Sequence, residues 1–551
     1  MKDGQFIMGE AAYRVVVLPP SVTISRTTLV LLKQFVQQGG QLIACTPYPQ
    51  LVEGVAESEL AELLLQANKP EWTSAAIMGA ITKVSAPSMR MTDERGVTIA
   101  ADTINVQTLE LEGSRLYYVV NSGEEHYARV DIELLHTGQV SLIDLTSGDT
   151  ECLEQIATAD GILVQLPLHP GQSYMLRLEP YNAQHTKIIE QVSDKRKSES
   201  ENESQPAETT ILSSHWGVVS LTPNSLTLDT CRLRVEDGEW SELQPVILIQ
   251  EQLLARGRSV DIELDFPFNV GWETSYNREL FVVMESPELF TIEVNGSKVS
   301  SESCGTWRDG SFHKVAISGN VQRGENHIHL NRHFYNSPET YQAIENAKIF
   351  ESEGNKLTFD TEIESIYLLG EFGVESQSGY VYGERNAVQT EGAFVLKEIP
   401  QVVHASELVQ QGLPFFAGAI RLRQHILVNW KDGAAAKWFF PEPPHAAVCK
   451  LWINGLEVRT FLWEPYEADI GGYLVAGENV IEMELTNSCR NLLGPHHHIH
   501  GEIYKVGPSS FTNTPGWTDK GIPQGVSMYV DRFAFVKFGL PVPPRIVVSF
   551  I

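Results

Sequence analysis

Residues Phe290–Val294 (FTIEV) run straight into Asn295-Gly296 and then Val299. About 155 residues later, Cys449–Ile453 (CKLWI) runs into Asn454-Gly455 and Val458. Each copy then carries a second shared element. The first has Val321-Gln322-Arg323-Gly324-Glu325-Asn326-His327-Ile328. The second has Asp469-Ile470 and then Leu474-Val475-Ala476-Gly477-Glu478-Asn479-Val480-Ile481. An apolar run closed by Asn-Gly predicts a hairpin with a two-residue type I′ turn, because both central residues need positive φ. The Gly-Glu-Asn turns lead into alternating strands at His327–Leu330 and Val480–Leu485. A single Asn-Gly occurs in any β protein. The same ordered set twice predicts two related β-sandwich modules, at 211–385 and 386–551.

Upstream of the repeat, 73–182 reads as another antiparallel β-sandwich, with short strands separated by turn residues. Arg115–Val120 (RLYYVV) precedes Asn121-Ser122-Gly123, Val130–Leu135 precedes Thr137-Gly138, and Val140–Leu145 precedes Ser147-Gly148-Asp149. Gly161–Leu166 and Ser173–Leu178 follow. Between this region and the repeat, Ser193–Glu208 (SDKRKSESENESQPAE) has almost no apolar residue and cannot offset its ordering entropy by burial. Residues 183–210 are therefore expected to be a charged, solvated linker. At the front, Arg14–Leu18 (RVVVL), a helix capped by Ser25 and stopped at Gly39-Gly40, Gln41–Cys45, and a second helix over Glu57–Gln66 follow a β-α-β-α order. Helical patterning stops near Asn68–Glu71, so 1–72 is expected to be a partial α/β unit. Two strands alone make an incomplete doubly wound sheet.

Composition narrows the function. The 551 residues suggest three or four domains at ~150 residues each. Seventy acidic against 41 basic residues give a formal charge of −29, which disfavours nucleic acid as a partner. No apolar run approaches the ~18 residues of a membrane span. Cys45, Cys152, Cys231, Cys304, Cys449 and Cys489 are scattered without a CxxC pair, so neither a disulfide framework nor a zinc knuckle is expected. The first twenty residues lack the basic, apolar and small-residue series of a signal peptide, and the chain as it stands reads as cytoplasmic.

The paired strand-Asn-Gly-strand and Gly-Glu-Asn elements resemble the galactose-binding, jelly-roll sugar-binding domains of large glycoside hydrolases, those of family 2 and of the α-L-rhamnosidase-like family 106. Gln411-Gly412-Leu413-Pro414-Phe415-Phe416-Ala417-Gly418 is similar to the segment that opens the last such module. Asn224-Ser225-Leu226-Thr227-Leu228-Asp229 resembles the entrance to the preceding one, and Arg490-Asn491-Leu492-Leu493-Gly494-Pro495-His496-His497 resembles the same group. Tyr13–Pro19 with Gly39-Gly40 and Thr46–Pro49 looks like the second half of a glutamine-amidotransferase-like domain. Tyr118-Val119-Val120-Asn121 and Leu142–Gly148 look like the sandwich after it. The resemblance implies a mainly β chain with galactose-binding-like jelly rolls, preceded by a partial α/β unit and another sandwich. It also implies carbohydrate as a partner.

Glycoside hydrolysis needs two carboxylates about 5 to 9.5 Å apart. In the resembled enzymes these sit on a barrel of ~250 residues. Only Met1–Tyr13 precedes the first strand of the α/β unit and helical periodicity is scarce after Gln66, so no stretch of this sequence is expected to hold a barrel. Cys45 lies in a strand-like run rather than on a nucleophile elbow, and is expected to be a buried structural thiol. The chain is expected to be a non-catalytic, carbohydrate-associated C-terminal portion of a glycoside hydrolase, supporting a catalytic barrel on a separate or upstream polypeptide. The alternatives are a hydrolase working through paired carboxylates, and a structural or oligomerising module without sugar affinity.

Candidate sugar contacts are aromatic faces beside polar groups. Trp307 and Asp309 lie in the Gly305–Gly310 loop, Trp463 and Glu464 are adjacent, and Trp517 lies in the Phe511–Gly525 loop. His496-His497-His498-Ile499-His500 is the densest cluster of imidazoles. Read as a strand, it puts His496, His498 and His500 on one face and His497 on the other. No metal or cofactor is assigned from the sequence. The resemblance leaves room for a structural calcium ion, for which Asp229, Glu236 and Asp237 are candidate oxygen donors.

Overall fold

A computed structural model of the chain describes residues 5–9, 11–85, 87–99, 103–111, 113–181, 208–272, 278–349, 351–354, 356–430, 434–503, 506, 510 and 527–549. Val15–Leu18 and Gln41–Ala44 pair in parallel, Val15 opposite Gln41. The crossover between them is the helix Arg26–Gln37, whose Ser25 side chain accepts a bond from the Thr28 amide. It buries Leu29, Leu32 and Phe35. Gly40 is needed at the exit, because a Cβ there would meet the Phe35 ring at 2.2 Å. The helix Ser58–Gln66 adds Leu60, Leu63 and Leu64 to the core on this side. A third helix, Ser74–Ile81, is capped by Thr73 and corrects the expectation that helical structure ends near residue 71. Ala80, with Ile77 and Ile81, covers Ile43 and Cys45. The segment SAAIMGAI is apolar almost all round, so it lacks the polar face that makes a helix legible in sequence. Cys45 is fully buried, as expected, and burial pushes its thiol up.

The sandwich that follows has two antiparallel sheets. One is ordered Thr150–Cys152, Gln139–Ile143, Ser173–Glu179, Ser114–Asn121, Ile104–Leu111. The other runs Ile156–Ala157, Ile162–Leu168, Tyr127–Leu134, Met89–Asp93. Alternate residues such as Tyr117, Val119, Val130, Ile132, Leu134, Val164 and Leu176 fill the space between them. The α/β elements and this sandwich belong to one compact unit, Met1–Ser200, and Glu201–Ile551 forms a second.

The second unit contains both copies of the repeat. In the first copy the long antiparallel pair is Val260–Val270 with Gly324–Phe334, flanked by Thr230–Val235 and by the hairpin Thr291–Val294/Ser297–Val299. In the second copy it is Ala419–Val428 with Gly477–Thr486, flanked by Val448–Ile453/Leu456–Phe461. The hairpin prediction holds in both: φ is 51° and 75° at Asn295 and Gly296, and 52° and 81° at Asn454 and Gly455. The reason for the distant Gly-Glu-Asn also emerges. The fully buried Asn326 side chain accepts from the Gln322 amide and donates to the carbonyls of Gln322 and Gly324. It also accepts from Asn295 Nδ2 at 2.8 Å, and Asn295 Oδ1 accepts from the His327 amide. The second copy repeats every bond: Asn479 with Val475 and Gly477, Asn454 Nδ2 to Asn479 Oδ1 at 2.9 Å, and the Val480 amide to Asn454 Oδ1. The two Asn residues therefore form one clamp that fixes hairpin to strand.

Strand membership departs from sequence order in three places. Glu208–Ile211 pairs with Arg545–Ser549, although residues through 210 read as linker; the linker residues 183–207 lie outside the described residues. His215–Leu221 pairs with Ala419–Val428 of the second repeat copy. Phe394–Lys397, beyond residue 385, runs parallel to Val260–Val270 of the first. A single core joins both copies, including Trp216, Phe266, Phe415, Trp438 and Phe535. The architecture is mainly β, built from antiparallel sheets. Among the described residues no helix is long and apolar enough to cross a membrane.

Candidate functional site

The fully buried strand Asn224–Leu228 ends at Asp229 and ties together the segments around it. Asn224 Nδ2 donates to the Gly412 carbonyl at 2.9 Å, Ser225 Oγ to the Phe415 carbonyl at 2.7 Å, and Thr227 Oγ1 to the Leu492 carbonyl at 2.8 Å. The three segments singled out around Asn224, Gln411 and Arg490 are thus one hydrogen-bonded unit. Asn491 docks its short helix, Arg490–Leu493, on Phe533–Val536 through two bonds to Val536. Gly494, at φ 83°, and Pro495 then turn the chain back toward Asp229.

The histidine run is irregular loop and not a strand, which overturns the expected alternation of faces. His496 and His497 both converge on Asp229, with His496 Nδ1 at 3.6 Å and His497 Nε2 at 3.1 Å from Oδ2. His497 Nδ1 faces the Val530 carbonyl at 2.9 Å, so both its nitrogens meet oxygen acceptors. That is the environment of an imidazolium. Burial opposes the charge, but the Asp229 carboxylate outweighs it and raises the His497 pKa. His496 Nε2 faces the Asn491 carbonyl at 2.9 Å, and burial lowers its pKa despite Asp229. Burial alone would raise Asp229. The His497 charge and hydrogen bond, with the His496 ring close by, more than reverse that, holding it well below the usual carboxylate range. Tyr529 stacks on His497 at 4.7 Å between ring centroids, 24° from parallel.

A cavity of about 120 Å³ opens over this pair, lined by Thr227, Asp229, Ser365, Tyr367, His497 and Tyr529, with Ile247, Leu493 and Met528 as apolar wall. Burial pushes the Tyr367 and Tyr529 phenols up, keeping them as O–H donors. A second cavity of about 170 Å³ shares Ser365 and carries Glu285, Glu362, Glu364 and Arg332. Glu364 is exposed at its mouth; its carboxyl is pushed up to about 7, first by the parts that are shielded and then by the charges of Glu285 and Glu362.

Of the residues anticipated from sequence, His496 is at the centre of the site. His498 is buried beside it and accepts from the His500 amide at 3.2 Å. Trp307 stands behind the cavity, packed in the apolar cluster of Tyr367 and Leu492. Asp309 is exposed and accepts from the Ser311 amide and hydroxyl; the same hydroxyl reaches Glu285 at 2.8 Å. Trp463 and Glu464 are half-buried on the loop after Leu456–Phe461 and do not join this cavity. Trp517 lies outside the described residues. Asp229 and Glu236, grouped as oxygen donors, sit at opposite ends of Thr230–Val235, ~20 Å apart at the rise of a strand. His497, Tyr367, Tyr529 and Glu364 were not anticipated. The histidine run signals His497 alone; nothing local in the sequence marks Tyr367, Tyr529 or Glu364.

No known family profile matches the chain, and neither does any curated protein. Solved structures to which it is similar include a rhamnosidase from Novosphingobium sp. PP1Y, at 12% identity and TM-score 0.37 over 100% of this chain and 35% of that one. Streptomyces avermitilis α-L-rhamnosidase complexed with L-rhamnose aligns at 9% identity and TM-score 0.22 over 84% and 39%. A β-D-mannosidase from Dictyoglomus thermophilum aligns at 13% and 0.19 over 48% and 31%. All three are glycoside hydrolases, and the chain spans 31% to 39% of their lengths.

Proposed function

We propose that the chain is a non-catalytic, carbohydrate-associated region that seats one sugar ring in the Asp229 cavity and supports a catalytic barrel carried by a separate or upstream polypeptide. The observation that carries this reading is the cavity's donor set. Two neutral phenols, the Thr227 and Ser365 hydroxyls and the His497–Asp229 pair surround a space suited to one polar ring, with an aromatic stack and aliphatic wall for its C–H face. The Asp229 carboxylate is engaged by two imidazoles, and among the described residues that line the cavity it is the one carboxylate, which supports a binding over a hydrolytic role. Titration calorimetry of the full chain with a panel of pyranoses, L-rhamnose and D-galactose among them, tests it. Binding weakened at least tenfold by Tyr529→Ala is expected, and no heat with any sugar would sink the proposal.

The grouping of Glu285, Glu362 and Glu364 in one cavity, with Glu364 pushed up to about 7, favours the hydrolase alternative, since glycoside cleavage requires a carboxyl acid beside a second carboxylate. Turnover of aryl glycosides that disappears in Glu364→Gln would replace the non-catalytic reading. The same variant has a second expected outcome. The folded pKa lies above the ordinary value, so stability is lost as pH rises from about 4.5 to about 7 and stays lower beyond. Because Glu364 is largely solvated, the discounted gain in Glu364→Gln is about 1 kcal/mol at pH 8 and near zero at pH 4.5. Thermal melts at the two pH values check it.

A further inference from the structure

On the outer face of the first repeat copy, His327 and His329 are alternate residues of Gly324–Phe334 and point the same way. The partner strand sets Asp265 directly opposite His329. Asp265 Oδ1 lies 2.9 Å from His327 Nδ1 and 3.5 Å from His329 Nε2, and the three candidate ligand atoms all lie within 4.8 Å of one another. We infer that Asp265, His327 and His329 form a binding site for a late first-row divalent metal ion such as Zn(II) or Cu(II).

The chemistry favours such an ion over calcium or magnesium, because two of the three donors are imidazoles. Metal–ligand bonds of ~2.0–2.2 Å place neighbouring donors about 3.3 Å apart, which these side chains reach by small rotations. The outer contacts suit the role. Arg232 Nη1 holds the other Asp265 oxygen at 2.9 Å, leaving Oδ1 for the ion. Glu325 lies 3.6 Å from His327 Nε2, on the far side of the ring from the ion, the usual place for a carboxylate that orients a metal-bound histidine. Arg234 is engaged by Glu263, and Glu293 stands opposite His329, so four carboxylates face two guanidiniums around the imidazoles. The His327 and His329 side chains are 31% and 36% exposed, so water can reach an ion held between them.

The second repeat copy shows what a purely structural cross-strand contact looks like here. Glu482 is three residues after Asn479, as His329 is three after Asn326, and it stands opposite Arg423. Glu482 takes bonds from both Arg421 and Arg423, a set that cannot ligate a metal. At the positions of Glu482 and Arg423 the first copy has His329 and Asp265, and His327 stands two residues before His329 on the same face.

Trp240 provides a local reporter, because its ring lies edge-on to His329 at 5.9 Å between centroids. Cu(II), which quenches nearby indole emission, is the probe, with Zn(II) as competitor. On titrating the full chain, one equivalent of Cu(II) is expected to quench a component of the emission that Trp240→Phe lacks, and Zn(II) is expected to restore it. His327→Ala/His329→Ala is expected to weaken this binding at least tenfold. Equal quenching in wild type and Trp240→Phe would overturn the site by placing the copper elsewhere, and so would unchanged affinity in the double variant. Should the double variant fail to fold, the comparison with Trp240→Phe still decides.

Discussion

Replacing Asn479 by alanine is expected to lower the stability of the second unit by about 3 kcal/mol. The side chain is fully buried and satisfies the Val475 amide, the Val475 and Gly477 carbonyls and the Asn454 amide group. Alanine leaves all four without that partner, and each buried unsatisfied group costs about 1–3 kcal/mol before water relieves part of it. Asn479→Asp separates the components: it keeps the acceptor for Val475 and Asn454 but loses both donors, so an intermediate loss is expected. Asn326→Ala should match Asn479→Ala, because the first copy has the same bonds. Urea unfolding followed by tryptophan emission is the measurement. Of the ten tryptophans only Trp72 falls within Met1–Ser200, so the signal reports the second unit. A loss below about 1 kcal/mol in both alanine variants would mean that the clamp is not what the repeat preserves.

That clamp explains why the fold was legible in sequence. Asn-Gly and Gly-Glu-Asn are local turn devices, and their spacing records a contact between them across the sheet. The strands of the first sandwich were equally visible, since Tyr127–Leu134 and Ser173–Glu179 alternate buried and outward residues. What escaped had no local signature. Glu208–Ile211 (ETTI) is a strand only because Arg545–Ser549 lies beside it, more than 300 residues away in sequence. His215–Leu221 joins the second repeat copy for the same non-local reason. The candidate site was half visible. The histidine run marks the place, but a strand's period of two does not hold in a loop, and it turns His497 away from the carboxylate that His497 meets. Tyr367 and Tyr529 come from segments far apart in the chain, and no spacing connects them to Asp229.

Asp229→Asn tests the centre of that site and is expected to cost about 3 kcal/mol near pH 6, the lower end of the range for breaking a buried ion pair, because the amide keeps the shape. The variant leaves His497 buried between Tyr529 and the Val530 carbonyl without its counter-charge. The pH dependence follows from the signs. Asp229 is depressed, so its contribution is complete above the unfolded value of about 3.9 and is lost as pH falls through the folded one. His497 is raised, so its contribution is complete below about 6.5 and is lost as pH rises through its folded value. The penalty of Asp229→Asn should therefore peak between about pH 5 and 6.5 and shrink on either side. In a His497→Gln background, which removes the cation and keeps a donor toward Asp229, the Asp229→Asn penalty should show no such alkaline decline. Paired urea titrations at pH 6 and pH 9 distinguish the outcomes. A penalty that is the same at both would mean that His497 is neutral in the folded protein and that the cavity is floored by a lone carboxylate, a different surface for any sugar to meet.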